Sequence, residues 1–224
     1  MAVLKKFPHW ESLTPKTRQA FRRAAELPFI REFYLAGGTG LAIHFGHRYS
    51  VDLDFFSQHY EVDDRVRQTV KSHFADPTFI AKNDADNTFV CEWRGVGLSL
   101  FRLQPYPLIL PPSEADGIRI ASVEDIGAMK LAALVGRATR KDLVDLYFIL
   151  KQIPIRKLYE ISAQKYASVR DFAITTRRGL GYTRDAEETP MPRMIKKVKW
   201  ETIREFLEQQ AYEATRQEVE QLWR

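Results

Sequence analysis

The stretch that most narrows the folds open to this chain runs from Tyr34 to Ser57, YLAGGTGLAIHFGHRYSVDLDFFS. Phe33 to Ala36 reads as a short apolar strand, and Gly37-Gly38-Thr39-Gly40 turns it into a second apolar run, Leu41–Phe45. Glycines at such a turn let the backbone approach a ligand closely, and the N–H groups at a helix start bind phosphate oxygens. Thr39 adds a hydroxyl donor. Further on, Val51, Leu53 and Phe55 alternate with Asp52 and Asp54. A strand there turns apolar side chains to one side and both carboxylates to the other. Carboxylates two residues apart on a strand sit roughly 6–7 Å apart at their Cα atoms and can converge on one cation. Each half alone is weak; in combination they supply what a metal–nucleoside triphosphate site needs.

The 224 residues are enough for one good-sized core, or for a small α/β domain plus a helical one. Hydrophobic residues make up 45% and charged ones 28%, which excludes a disordered or fibrous chain. The start, MAVLKKFPHWESL, lacks the apolar run of a signal peptide, and no later segment approaches the roughly 20 apolar residues of a membrane span. The expected location is the cytoplasm, with no membrane partner. A lone cysteine, Cys91, excludes an internal disulfide and a cysteine-rich zinc module. Within Phe89-Val90-Cys91 it reads as a buried, inert thiol. His44 and His47 are too few for a zinc site. A net charge of +5 permits a nucleic-acid partner without requiring one.

Pro15 opens a helical pattern to Leu27, and Asp63 to Phe74 reads as a polar-faced helix. Three β-like runs follow, Thr78–Lys82, Asn87–Trp93 and Val96–Leu103, the last two joined at Gly95 as a hairpin. QPYPLILPP breaks regular structure, Ile118–Ala121 is a short strand, and Ser122–Asp125 resembles a capping box. Helices then follow at residues 126–136, Lys141–Leu150, Pro154–Tyr166 and Trp200–Arg224, with Gly179–Pro192 read as a loop. The predicted organisation is an α/β half over 1–121, built on a mixed, mostly antiparallel sheet, and a helical half over 122–224.

Within the helical half, MKLAALVGRATRKDLVDLYFIL carries Lys130, Arg137, Lys141, Asp142 and Asp145 in an apolar surround. Asp142 and Asp145 share a helical face, and Lys141 reaches Asp145 at i+4. Read by itself this is a helix pair with a charged outer face and one salt bridge. Three basic clusters fall in this half: Arg137, Arg140 and Lys141; Arg177, Arg178 and Arg184; Lys196, Lys197 and Lys199.

The glycine turn followed by the Asp-x-Asp strand resembles the nucleotidyltransferase superfamily, in which a GG[ST] turn precedes a DxD strand. GGTGLA…GHRYSVDLDFFS is similar, more closely, to the AbiEii/AbiGii toxin family (its DUF1814 branch), the nucleotidyltransferase-like proteins of abortive-infection and toxin–antitoxin systems. GVGLSLFRLQPYPLILPP and GYTRDAEETPMPRMIKKVKWETIREFL continue the resemblance, which spans residues 34–210. It implies an α/β (α+β) fold, a nucleotidyltransferase-like mixed sheet with flanking helices and then a helical C-terminal half. The implied activity is transfer of a nucleoside monophosphate from an NTP to an acceptor, expected to be tRNA, with Mg²⁺ or Mn²⁺ on Asp52 and Asp54. The same resemblance assigns catalytic roles to Asp52, Asp54, Lys130, Asp142 and Asp145. Arg137 matches the family's arginine and is expected at the nucleotide with Gly37, Gly38 and Thr39 of the turn, Arg48 as a guanidinium clamp on the triphosphate, and Ser50, which holds the turn before Val51. A cognate antitoxin encoded nearby and a part in phage defence are expected. Nucleotide binding with little transfer, and transfer to a protein or small molecule, are the rival readings. One departure stands out. Nucleotidyltransferases commonly carry a third carboxylate on the strand after the DxD strand, whereas Val96–Leu103 offers only Ser99 on its polar side. Glu92, Asp142 and Asp145 are the alternatives for the base.

Overall fold

The computed structural model describes residues 7–136 and 138–222, the side chains of 217–222 excepted. Contacts divide the chain into two units, Met1–Ser122 and Val123–Arg224. The first begins with α1 (Pro15–Ala25), whose start is fixed by Thr14: its hydroxyl accepts from the Thr17 N–H at 3.1 Å, and Pro15 takes the first helical position. Then come β1 (Tyr34–Leu35), α2 (Gly37–Phe45), β2 (Leu53–Ser57) and α3 (Asp64–His73), the last capped by Asp63 accepting from the Val66 N–H at 2.9 Å. Strands β3 (Ile80–Ala85), β4 (Thr88–Trp93), β5 (Val96–Arg102), β6 (Ser113–Ala115) and β7 (Ile118–Ile120) complete the unit.

These strands form one sheet in the order β3-β4-β5-β2-β1-β7-β6. It is mixed: β2 runs parallel to β5 and β1 parallel to β7, while the other four pairings are antiparallel. The β4–β5 hairpin closes on Arg94 and Gly95, both at positive φ (53° and 78°), the two-residue turn whose twist suits a hairpin. Alternation then sorts the side chains. Leu53 and Phe55 of β2, Phe89, Cys91 and Trp93 of β4, and Val96, Leu98 and Leu100 of β5 share a core with Ala20, Phe21 and Ala24 of α1 and Val66 and Val70 of α3. Burying a side chain of that size contributes about 1.5–3 kcal/mol, so the hydrophobic face fixes the register, and the register fixes what the opposite face carries.

Two expectations for this unit change. Val51 is exposed instead of joining the Leu53–Phe55 face, because pairing begins at Leu53. The strand β6 was not expected; it pairs with β7 through Asp116 and Gly117, at φ 46° and 81°.

The second unit is helical: α4 (Val123–Gly136), α5 (Arg140–Leu150), α6 (Ile155–Lys165), α7 (Phe172–Gly181) and α8 (Trp200–Leu222). Helix α7 was not foreseen, and it absorbs the start of the segment read as a loop; Asp185–Glu188 within that segment is a short 3₁₀ turn. Asp125 is fully buried and meets the equally buried Lys165 at 3.0 Å, tying α4 to α6. Among the described residues no helix is long and apolar enough to cross a membrane.

Candidate active site

Strand β2 places Asp54 beside Ser99 of β5, and Leu53 beside Leu98. Because Leu53 and Phe55 enter the core, Asp54 turns to the other face of the sheet. Asp52, one residue before the strand, is exposed and leans over β5. Its carboxylate has no ion-pair partner among the described residues. Asp54 is half-buried and leans the opposite way, towards the start of α2.

That start is the glycine turn. Gly37 has φ +63°, which side-chain-bearing residues rarely adopt, and a Cβ there would lie 3.1 Å from Asp54 Oδ2. Gly38 gives its space to Arg48: a Cβ at 38 would collide with the guanidinium and come within 3.3 Å of Ser50 Oγ. The residue before the helix, Ala36, offers no side-chain cap, so the first N–H groups of α2 have no capping side chain to satisfy them. Helix starts of this kind attract anions.

Thr39, Arg48 and Ser50 are all buried. The Thr39 hydroxyl is turned inward, donating to Ser50 Oγ at 2.8 Å and to the backbone oxygen of Asp52. Ser50 is itself pinned by its N–H to Ser12 O at 3.1 Å. Arg48 donates from Nη1 to Tyr49 O at 3.0 Å. Thr39 and Ser50 therefore lock the segment that delivers Asp52, and Arg48 lies against the turn. His44 Nε2 lies 2.8 Å from Ala121 O, and His47 is fully buried beside Phe45.

In the helical unit, Lys130 is buried with its ammonium 2.7 Å from Asp142 Oδ1 and 2.8 Å from Asp145 Oδ2. Asp142 also accepts from the Thr139 hydroxyl at 2.5 Å. The expected partner of Asp145 was Lys141; Lys141 is exposed, and the ion pair forms with Lys130, because Asp145 faces inward. Arg137 lies outside the described residues. On the sheet, Glu92 of β4 is held by Lys82 at 2.5 Å, one strand further from Asp54 than Ser99. Sequence reasoning missed Gly97, which lies beneath the Asp52 carboxylate; a glycine inside a strand is the signal that could have found it.

A mixed sheet that presents two carboxylates beside a glycine-led helix start defines a nucleotidyltransferase fold, and the comparisons agree. Over 92% of both chains it is similar to the crystal structure of JHP933 from Helicobacter pylori, at a TM-score of 0.55 and 21% identity. It is also similar to MenT4, the nucleotidyltransferase toxin Rv2826c of Mycobacterium tuberculosis H37Rv, at a TM-score of 0.59 and 16% identity over 89% of this chain and 83% of that one. The profile described as "Nucleotidyl transferase AbiEii toxin, Type IV TA system" matches residues 19–100 and 96–223, so this chain belongs to the AbiEii family of nucleotidyltransferase toxins. An uncharacterised protein of Aquifex aeolicus (strain VF5), aq_aa25, is 31% identical over 208 residues, 90% of this chain and 97% of that protein.

Proposed function

We propose that the protein transfers a nucleoside monophosphate from an NTP to the 3′ end of tRNA, using a divalent cation held by Asp52 and Asp54. One observation carries the reading: Asp54 on the open face of β2 and Asp52 one residue ahead of the strand bracket the site beside the uncapped start of α2, with Arg48 packed under the glycine turn. The residues suit Mg²⁺ or Mn²⁺. Asp52 is exposed and without an ion-pair partner among the described residues, and no group of three or more His, Cys, Asp or Glu gathers for a metal among them. Mg²⁺ is ordinarily held by one or two carboxylates, with substrate phosphates and water completing its shell. Metal binding here should therefore depend on nucleotide.

Asp52 and Asp54 would hold the cation, which would supply charge neutralisation of the triphosphate and Lewis-acid activation of the α-phosphorus. The chain's own residues do the rest. The N–H groups of Gly37 and Gly38 receive phosphate oxygens, Arg48 adds positive charge behind the turn, and the Thr39–Ser50 lock keeps Asp52 in place. The acceptor hydroxyl oxygen bonds to the α-phosphorus as its proton passes to solvent, the bond to the bridging oxygen breaks, and pyrophosphate leaves. Lys130, Asp142, Asp145 and Arg137 join this reading on the family motif. Exposed Arg178, Arg184, Lys196, Lys197 and Lys199 support a polyanionic acceptor. A cognate antitoxin, a role in phage defence and a cytoplasmic location follow from the toxin-family membership as parts of the same proposal.

The test is incubation with each labelled NTP, total tRNA and Mg²⁺ or Mn²⁺. Labelled tRNA that disappears with chelator and with Asp52→Asn or Asp54→Asn is the expected result. Label on a protein or small molecule, with tRNA unlabelled under all four nucleotides, replaces the acceptor. Nucleotide binding without any label leaves a binding module.

A further inference from the structure

Gly97 is an oddity of the sheet. It lies inside β5, which is flanked on both sides by β4 and β2. Glycine weakens such a position, having no side chain to pack and more freedom to lose on folding. Backbone conformation does not call for it, since Gly97 is not among the residues with positive φ. Space does. A Cβ at 97 would lie 2.7 Å from Asp52 Oδ1, 3.4 Å from Asp52 Cγ and 3.7 Å from Asp52 Cβ, and these are its three nearest atoms. The vacancy is filled by the carboxylate of one residue. Asp54 rests over Gly37 in the same manner on the other flank of β2. The two carboxylates are thus splayed in opposite directions, each lying over a glycine of a neighbouring element.

We infer that Gly97 is a positioning residue for the cation site: it leaves the space into which the Asp52 carboxylate leans and so sets where that ligand is presented. This rests on the reading of Asp52 as a cation ligand. It also gives a physical account of the departure on β5. The strand beside the aspartates carries no third carboxylate because the nearest position is vacated for Asp52, with Ser99 next to Asp54. Glu92, the cross-strand neighbour of Gly97, is engaged by Lys82. A methyl group at 97 would not break the fold, since the atom it meets ends a flexible side chain; it would turn Asp52 aside.

Two measurements on the full-length protein test this. The first is a thermal cycle without metal, comparing wild type, Gly97→Ala, Asp52→Ala and the double variant. Alanine at 97 should raise Tm more in the Asp52→Ala background, where the space is free, than in wild type. The second is Mn²⁺ binding, followed by electron paramagnetic resonance with the non-hydrolysable α,β-methylene analogue of each NTP. Gly97→Ala should bind Mn²⁺ roughly 10–100-fold more weakly, with Ser99→Ala close to wild type. An additive thermal cycle, unchanged Mn²⁺ affinity in Gly97→Ala, or loss of its folded state each overturns the positioning role. Absence of nucleotide-dependent Mn²⁺ binding in wild type overturns the cation site itself, a failure distinguishable from the others because the thermal cycle reads Gly97 against Asp52 with no metal present.

Discussion

Lys130 shows how one residue can mean two things in a sequence. Its place in the family motif points to the nucleotide, while its surroundings make it the hinge pin of two helices: the ammonium of α4 sits between Asp142 and Asp145 of α5, with the three side chains 10%, 5% and 0% exposed. Removing one partner from a buried ion cluster costs about 3–5 kcal/mol. Lys130→Met should therefore lower stability by that order in urea denaturation, and its activity has meaning only per folded molecule. A loss within experimental error would show that Asp142 and Asp145 reach water. Helical spacing offered Lys141 for Asp145; only the packing of α4 against α5 reveals that Asp145 points inward. Cys91 was easier, because a cysteine among alternating apolar residues is placed by the alternation itself. It is 1% exposed, and burial pushes its thiol up to about 12 from 9.0. A thiol reagent at neutral pH should leave Cys91 unmodified in the native protein and label it on unfolding.

Elements were legible where periodicity was long and hidden where it was short. The helices α1, α3 and α5 and the hairpin β4–β5 announce themselves through apolar spacing, capping residues and a glycine turn. Strand β6 spans only Ser113–Ala115, too short for a pattern, although the Asp116-Gly117 pair marks its turn. Helix α7 holds Ile174, Thr175, Thr176, Gly179 and Gly181, which disfavour helix locally. Packing overrides them: a Cβ at Gly179 would come within 2.9 Å of the Leu134 side chain, so glycine admits the close approach of α4. Another tertiary tie escapes any sequence window. Asp76, ahead of β3, accepts from the Thr78 hydroxyl and N–H and from Arg94 Nε at 3.0 Å, binding that loop to the β4–β5 turn. The Thr78 hydroxyl first, then its N–H and Arg94, hold the Asp76 carboxyl down to about 2 from 3.8. A carboxyl depressed by folding stabilises fully above its unfolded value, and that share is lost as pH falls towards about 2. Asp76→Asn should flatten the fall of Tm with pH across that window.

Over the whole molecule the charge is uneven. Residues 1–122 hold 15 Lys and Arg against 14 Asp and Glu, and residues 123–224 hold 19 against 15. If tRNA is the acceptor, binding should weaken with salt, by about 0.7–0.9 in log K per log unit of salt for each phosphate neutralised. Lys196→Ala, Lys197→Ala and Lys199→Ala combined should lower that slope without changing Mn²⁺–nucleotide affinity; an unchanged slope would take those lysines out of the interface. The fold class and the two carboxylates could be read from the chain because they sit in one short segment, whereas Gly97 could not be tied to Asp52 without the parallel pairing of β2 with β5. That pairing has a further consequence. Asp52 and Asp54 precede β5 in the chain, and these parallel strands pair only after the intervening α3, β3 and β4 have been laid down. Until residue 102 is available, Asp52 has no surface to lean on and the carboxylate pair has no defined geometry. The geometry of the carboxylate pair is thus the product of one long-range strand pairing, and any chain that stops short of β5 lacks it.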